Sequence, residues 1–340
     1  MSTHPTTATV FAPGAMSAWS EKLTCYTAAL GVWLAHRQSD WWRPLLAGGP
    51  YLRVRNAGNL WHFDHSPEPW ARALGLAARG CDDADEAQAA VATLRAEGPV
   101  IIAGDVFRLP WQQGYRRRHA PHWFVMPATG AVSELLDPLA MTDDLGCQGP
   151  FRGPVPGAPF AEWTRALPGG NAVHEARERS VIGPGPTYLG YRYRWLEPIT
   201  PCACEGEPAQ DAPGAGDRLE GSDACHALAD HFAEHGDNPE TYAQVADIWQ
   251  VMRQRELAVA AAAVDPHLMT QGALAHWRAG LEHWRRVPGL LLHARLSASA
   301  QRPQPARAVV RALRAAAAFE GRYRLGEPEP VASADEWELR

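Results

Sequence analysis

The chain has 340 residues, 46% of them apolar and 21% charged, with a formal net charge of −6. That is the balance of a globular chain too long for one typical domain, so two structural units, or one domain with a large appendage, are expected. No run approaches the roughly 20 apolar residues of a membrane span, and the negative charge argues against nucleic acid, whose phosphates need a basic surface.

In chain order, residues 1–19 are rich in Thr, Pro and Ala and read as a flexible arm. They lack the Lys or Arg and the apolar stretch of a secretory signal, so a cytoplasmic chain is expected. Leu23 to His36 carries apolar residues at helical spacing, among them Ala28, Ala29, Val32 and Trp33, behind a capping Thr24. Tyr51 to Asp64 reads as short strands and Asp82 to Glu97 as a helix with Ala90, Val91 and Leu94 on one face. Pro99–Ala103 is a buried-type strand, and Asp105 to Tyr115 an extended loop broken by proline. His122–Met126 and Val132–Leu136 are strand-like runs on either side of the turn chemistry of Pro127–Gly130. Residues 147–188 are too rich in Pro and Gly to assign, and Tyr188–Leu196 reads as one more strand.

The composition then changes. Residues 201–222 form a Pro-, Gly- and acid-rich linker or mobile loop. Beyond it Asp223–His235, Asn238–Ala263, Gln271–Arg286, Gly289–Leu296 and Ala306–Phe319 read as helices punctuated by Gly236, Pro266, Pro288 and Pro305. The expected organisation is an α+β unit over 20–200, a helical unit over 223–325 and a tail over 326–340.

Six cysteines in a chain this long do not make a disulfide scaffold. Cys202-Ala203-Cys204 with Cys225-His226 lacks the usual spacing of a zinc site, so no metal is expected. Cys25 sits just after a capping residue in the first turn of a helix, where unpaired N–H groups and the helix dipole favour an anion. If the hairpin pairs Met126 with Val132, then His122 faces Leu136 and Asp137 stands beside it. A carboxylate there can orient one imidazole nitrogen and leave the other for a thiol. This is the nucleophile–base–orienter logic of a Cys-His-Asp triad. Asp105, ahead of the Leu109-Pro110 segment, either lines the cleft or anchors a turn. His62, Asp64 and His65 either line a cleft or are exposed. Arg116-Arg117-Arg118 is either a solvated loop or a grip for an acidic partner or a phosphate.

The segment Leu23-Thr24-Cys25-Tyr26-Thr27-Ala28-Ala29-Leu30 resembles the nucleophile helix of the butirosin biosynthesis protein H-type N-terminal domain family. So does Gly104-Asp105-Val106-Phe107-Arg108-Leu109-Pro110-Trp111, with Tyr115, Pro121-His122-Trp123-Phe124-Val125-Met126, Gly130 and Leu136-Asp137-Pro138 after it. The resemblance covers roughly residues 20–140. It implies a papain-like fold, related to bacteriocin-leader cysteine peptidases and transglutaminase-like enzymes, followed by a helical C-terminal domain. The implied activity is acyl transfer from a carrier-protein thioester to an amine, with Cys25 as nucleophile, His122 as base and Asp137 as its orienter. Asp105, Trp111, Tyr26, Arg116, Arg117 and Arg118 would then contact substrate or carrier. No bound cofactor is implied: an acyl or peptidyl carrier protein would present its phosphopantetheine, and the acceptor would be an amine-bearing small molecule. Many relatives place a polar amide shortly before the cysteine for the oxyanion. Here Ser20, Glu21 and Lys22 stand there, leaving the backbone N–H of Cys25 as the donor that position supplies. Two other readings use the same residues: a cysteine peptidase or amidase with water as acceptor, and a non-catalytic binding protein that retains the fold.

Overall fold

The computed structural model describes residues 19–46, 52–57, 60–63, 71, 74–128, 134–143, 145–155, 159–167, 169, 171–182, 190–199, 218–302 and 306–320. The expected arm except Trp19, the expected tail and most of the expected linker, along with Val132, Cys202, Cys204, Asp64 and His65, lie outside these residues. The chain divides into two compact units, one of residues 1–48 and 55–217, the other of 49–54 and 218–340. The chain as a whole mixes helix and sheet in a way compatible with an α+β class, with most strands in the first unit and mainly helices in the second.

In the first unit the leading helix α1, Cys25–Ala35, is followed by the short α2, Trp42–Leu45. Strand β1 (Arg53–Ala57), whose first two residues belong to the second unit, is followed by β2 (Leu60–Phe63) and β3 (Leu76–Cys81), ahead of helix α3, Ala84–Arg95. Then come β4 (Val100–Asp105), β5 (Pro121–Met126), β6 (Glu134–Asp137), β7 (Met141–Asp143), β8 (Gly146–Gln148) and β9 (Phe151–Pro154). Helices α4 (Phe160–Trp163) and α5 (Ala172–Ile182) lead into β10, Tyr193–Pro198. Six strands form one antiparallel sheet in the order β3-β10-β4-β5-β6-β9.

Both faces of its centre are covered, which is why Val100-Ile101-Ile102-Ala103 is a continuous apolar run rather than an alternating one. Successive residues of β5 point to opposite faces. Trp123 meets Tyr26 of α1 edge-on, with ring centroids 5.5 Å apart. Phe124 and Met126 share a core with Ala87 and Val91 of α3 and Trp163 of α4. In helix α1 every residue after Cys25 is buried. Only its first residue reaches the surface.

The second unit opens with β11, Arg218–Glu220, directly followed by α6, Gly221–His235. Residues 218–222, expected as linker, are thus strand and helix. Helices α7 (Val245–Val264), α8 (Gln271–Trp284), α9 (Val287–Ser299) and α10 (Ala306–Ala317) complete it. The expected helix over 238–263 begins instead with a 3₁₀ turn at Pro239–Tyr242, capped by Asn238. The unit is pinned by a buried cluster. Arg255 meets both oxygens of Glu320 at 2.7 Å, Trp284 Nε1 donates to Glu320 at 2.8 Å, and the backbone N–H of Leu52 donates at 3.0 Å. Thus a segment from early in the chain is tied into a core built almost wholly from its end. Among the described residues no helix is long and apolar enough to cross a membrane.

Candidate active site

Cys25 sits at the first position of α1, half-buried. A reciprocal capping box holds this turn: the Thr24 hydroxyl accepts from Thr27 N–H at 3.1 Å, and the Thr27 hydroxyl from Thr24 N–H at 2.8 Å. The segment just before it is tied to the one just after Asp137, with the Ala140 N–H donating to the Ser20 carbonyl at 3.3 Å.

His122 is the second residue of β5, opposite Gly104 of β4. A side chain at Gly104 would place its Cβ 2.9 Å from the Phe124 ring and 3.4 Å from the Trp163 carbonyl, so glycine lets the two strands and α4 close up here. Between β5 and β6 the register is Val125 opposite Leu136. This corrects the expected register, which faced His122 with Leu136. The observed pairing sets Asp137 beside Phe124 and diagonal to His122 on one face of the sheet.

Asp137 is fully buried and its Oδ2 accepts from His122 Nε2 at 2.8 Å. The same oxygen accepts from Trp111 Nε1 at 2.8 Å, Gln112 Nε2 at 2.5 Å and Gln148 Nε2 at 3.4 Å, while Oδ1 accepts from Leu139 N–H at 3.1 Å. A carboxylate only accepts, so each of these nitrogens donates. The 2.9 Å between Gln112 Nε2 and His122 Nε2 is the third side of that triangle. With Nε2 engaged by Asp137, the hydrogen bond between the imidazole and the Cys25 side chain falls to Nδ1. Burial pulls the imidazolium of His122 down, but the Asp137 charge and hydrogen bond, joined by Cys25, push it up to about 10. The imidazole lies between the Cys25 sulfur on one side and the Asp137 carboxylate on the other.

The structure brings Cys25, His122 and Asp137 together and places the rest elsewhere. Trp111 is an Asp137 donor, stacked on Phe151 with centroids 5.4 Å apart. Tyr26, expected to touch substrate, is instead core: it is 4% exposed and packed on Trp123. Asp105 has both oxygens engaged within its own loop. Oδ1 accepts from Phe107 and Ala120 N–H at 3.2 Å each, and Oδ2 from His119 Nδ1 at 2.6 Å. It thereby clips together the two ends of the loop that carries Trp111 and Gln112. Arg116, Arg117 and Arg118 are exposed; Arg116 lies over the Tyr115 ring and Arg118 pairs with Asp143.

Gln112 and Gln148, 6% and 7% exposed, are the site residues that sequence reasoning missed. Gln112 follows Trp111 in a segment read only as a loop, and Gln148 lies at the start of the stretch that resisted assignment. Among the described residues no group of His, Cys, Asp and Glu could hold a metal ion. Cys225 is buried within α6, where burial first, and then the Glu320 charge, push its thiol well up. No protein-family model matches the chain, and no curated protein matches it.

Proposed function

We propose that the protein is a cysteine-dependent acyltransferase with a papain-like catalytic unit, moving an acyl group from a carrier-protein thioester to an amine. The observation that carries this reading is the half-buried Cys25 at a helix start, hydrogen-bonded to His122, which the buried Asp137 orients. The resemblance of residues 20–140 to the butirosin biosynthesis protein H-type domain supplies the substrate class.

In the first half-reaction Cys25 Sγ, as the thiolate paired with the His122 imidazolium, attacks the thioester carbonyl carbon, forming a new C–S bond. The tetrahedral intermediate collapses with loss of the phosphopantetheine sulfur, which takes the proton from His122 Nδ1. In the second half-reaction an amine nitrogen attacks the acyl-Cys25 carbonyl, giving its proton to the now neutral His122, and the Cys25 sulfur leaves. Asp137 holds the Nε2–H throughout and stabilises the imidazolium that recurs at each turn. Arg116 and Arg117, exposed near the entry to β5, are suited to an acidic carrier surface.

The test is intact-mass analysis after mixing with an acyl carrier thioester, with and without amines. An acyl adduct on the wild type, absent from Cys25→Ala and discharged as amide only when amine is added, is the expected result. Free acid released at the same rate with or without amine would replace transfer by hydrolysis. No adduct and an inert Cys25 would leave a binding protein.

A further inference from the structure

We propose that Gln112 and Trp111 are positioning residues of the Cys25–His122–Asp137 triad, sharing one carboxylate oxygen with the imidazole and so setting how tightly the imidazolium is held. The inference rests on the triad reading of the site, though not on the acyl-transfer chemistry assigned to it.

The geometry is unequal in a way that packing alone does not require. Asp137 Oδ2 receives His122, Trp111 and Gln112 within 2.8 Å and Gln148 at 3.4 Å, whereas Oδ1 receives only the Leu139 N–H, at 3.1 Å. Carboxylate lone pairs are limited to about two per oxygen. The donors on Oδ2 therefore compete for the same electron density, and each one added weakens the carboxylate's pull on the Nε2 proton. The two neighbours are also rigidly presented. Gln112 is buried, and its N–H donates to the carbonyl of Leu109, which is itself fully buried in the core. The Trp111 ring is wedged between Phe151, stacked at 5.4 Å, and Phe124, edge-on at 5.6 Å. Asp105 closes the loop beneath them. The loop before β5 thus delivers two fixed donors to a carboxylate 25 and 26 residues further along.

A catalytic imidazolium has to release its proton in each cycle, so one held too tightly is a poor acid toward the leaving sulfur. Two extra donors on Oδ2 moderate the Asp137–His122 bond without giving up its orientation.

The experiment is titration of His122 by NMR in the full chain carrying ¹³C-labelled histidine, assigned by loss of the signal in His122→Asn. In Gln112→Met and in Trp111→Phe, each checked for folding by circular dichroism, the His122 inflection should move up by about half a pH unit or more, a threefold or greater tightening of the proton. An unchanged or lowered inflection in a folded variant overturns the proposal. The wild type provides a measurement that needs no variant. The Trp111 indole N–H signal should shift along the His122 titration, because both donate to one oxygen; a flat indole signal overturns the proposal equally. No step uses a substrate. A missing acyl adduct beside shifted titrations would remove the acyl-transfer reading and leave this one standing.

Discussion

Replacing Asp137 by Asn removes a charge while keeping the shape. The amide oxygen can occupy the Oδ2 position and go on accepting from His122, Trp111 and Gln112. Its NH₂ then faces the Leu139 N–H, donor against donor, so one bond at 3.1 Å is lost. The larger effect is electrostatic. Burial lowers the His122 imidazolium, and the charge and hydrogen bond of Asp137 are the first of the opposing effects that carry it to about 10. Without that charge the value falls toward or below the ordinary 6.5. Because the folded value lies above the unfolded one, the stabilisation is complete below about pH 6.5 and is lost as the pH rises through about 10. A gap of this size corresponds to roughly 5 kcal/mol, taken as an upper bound. Urea unfolding of wild type and Asp137→Asn should therefore differ by several kcal/mol at pH 6, and the difference should shrink steadily between pH 7 and 10. Subtracting the curves cancels the other thiols and phenols, which titrate in both proteins. Turnover should fall on the order of a thousandfold, since an amide orients the ring without supporting its charge. Parallel stability curves from pH 6 to 10 would refute the reasoning, because they would mean His122 is neutral in the fold.

Three further outcomes follow from the same contacts. Glu320→Ala leaves the fully buried Arg255 without its bidentate partner, and strips Trp284 Nε1 and Leu52 N–H of their acceptor. It should destabilise the second unit by about 3–5 kcal/mol in denaturant melts, and a loss under about 1 kcal/mol would contradict the pairing. Gly104→Ala brings a Cβ to 2.9 Å from the Phe124 ring; a cost of about 1–3 kcal/mol and slower alkylation of Cys25 are expected, and unchanged values for both would contradict the close packing beside His122. Charge reversal of Arg116 and Arg117, sparing the Arg118 paired with Asp143, should slow a carrier-bound donor but not a small thioester. That difference should fade with added salt, since exposed charges are screened beyond about 10 Å at 0.1 M; equal effects on both donors would remove the docking role.

Much of this architecture was decided locally and so could be read from the chain. Helix α1 begins where Thr24 can cap it, α3 begins after Asp83, whose carboxylate accepts from the Asp85 and Glu86 N–H groups, and α8 begins after Thr270. The apolar period and the prolines did the rest for the second unit. Cys25, His122 and Asp137 were legible for the same reason, each marked by a cap, a strand start or an Asp-Pro boundary. Tertiary structure decided what depends on distant partners. The strand register is one case: the two candidate pairings differ by an odd number of residues, and that parity puts Asp137, rather than Leu136, on the face of His122. Local hydrophobicity did not separate them, since β5 and β6 are buried along nearly their whole length. Helix α1 carries polar Thr24 and Thr27 at its start, yet both hydroxyls are spent on its own cap and the helix is buried along its whole length after Cys25. Gln112 and Gln148 became site residues only when chain closure brought them, from 25 and 11 residues away, to one buried oxygen. An amide carries no periodic signal. Its role is set by whichever charge the fold places against it.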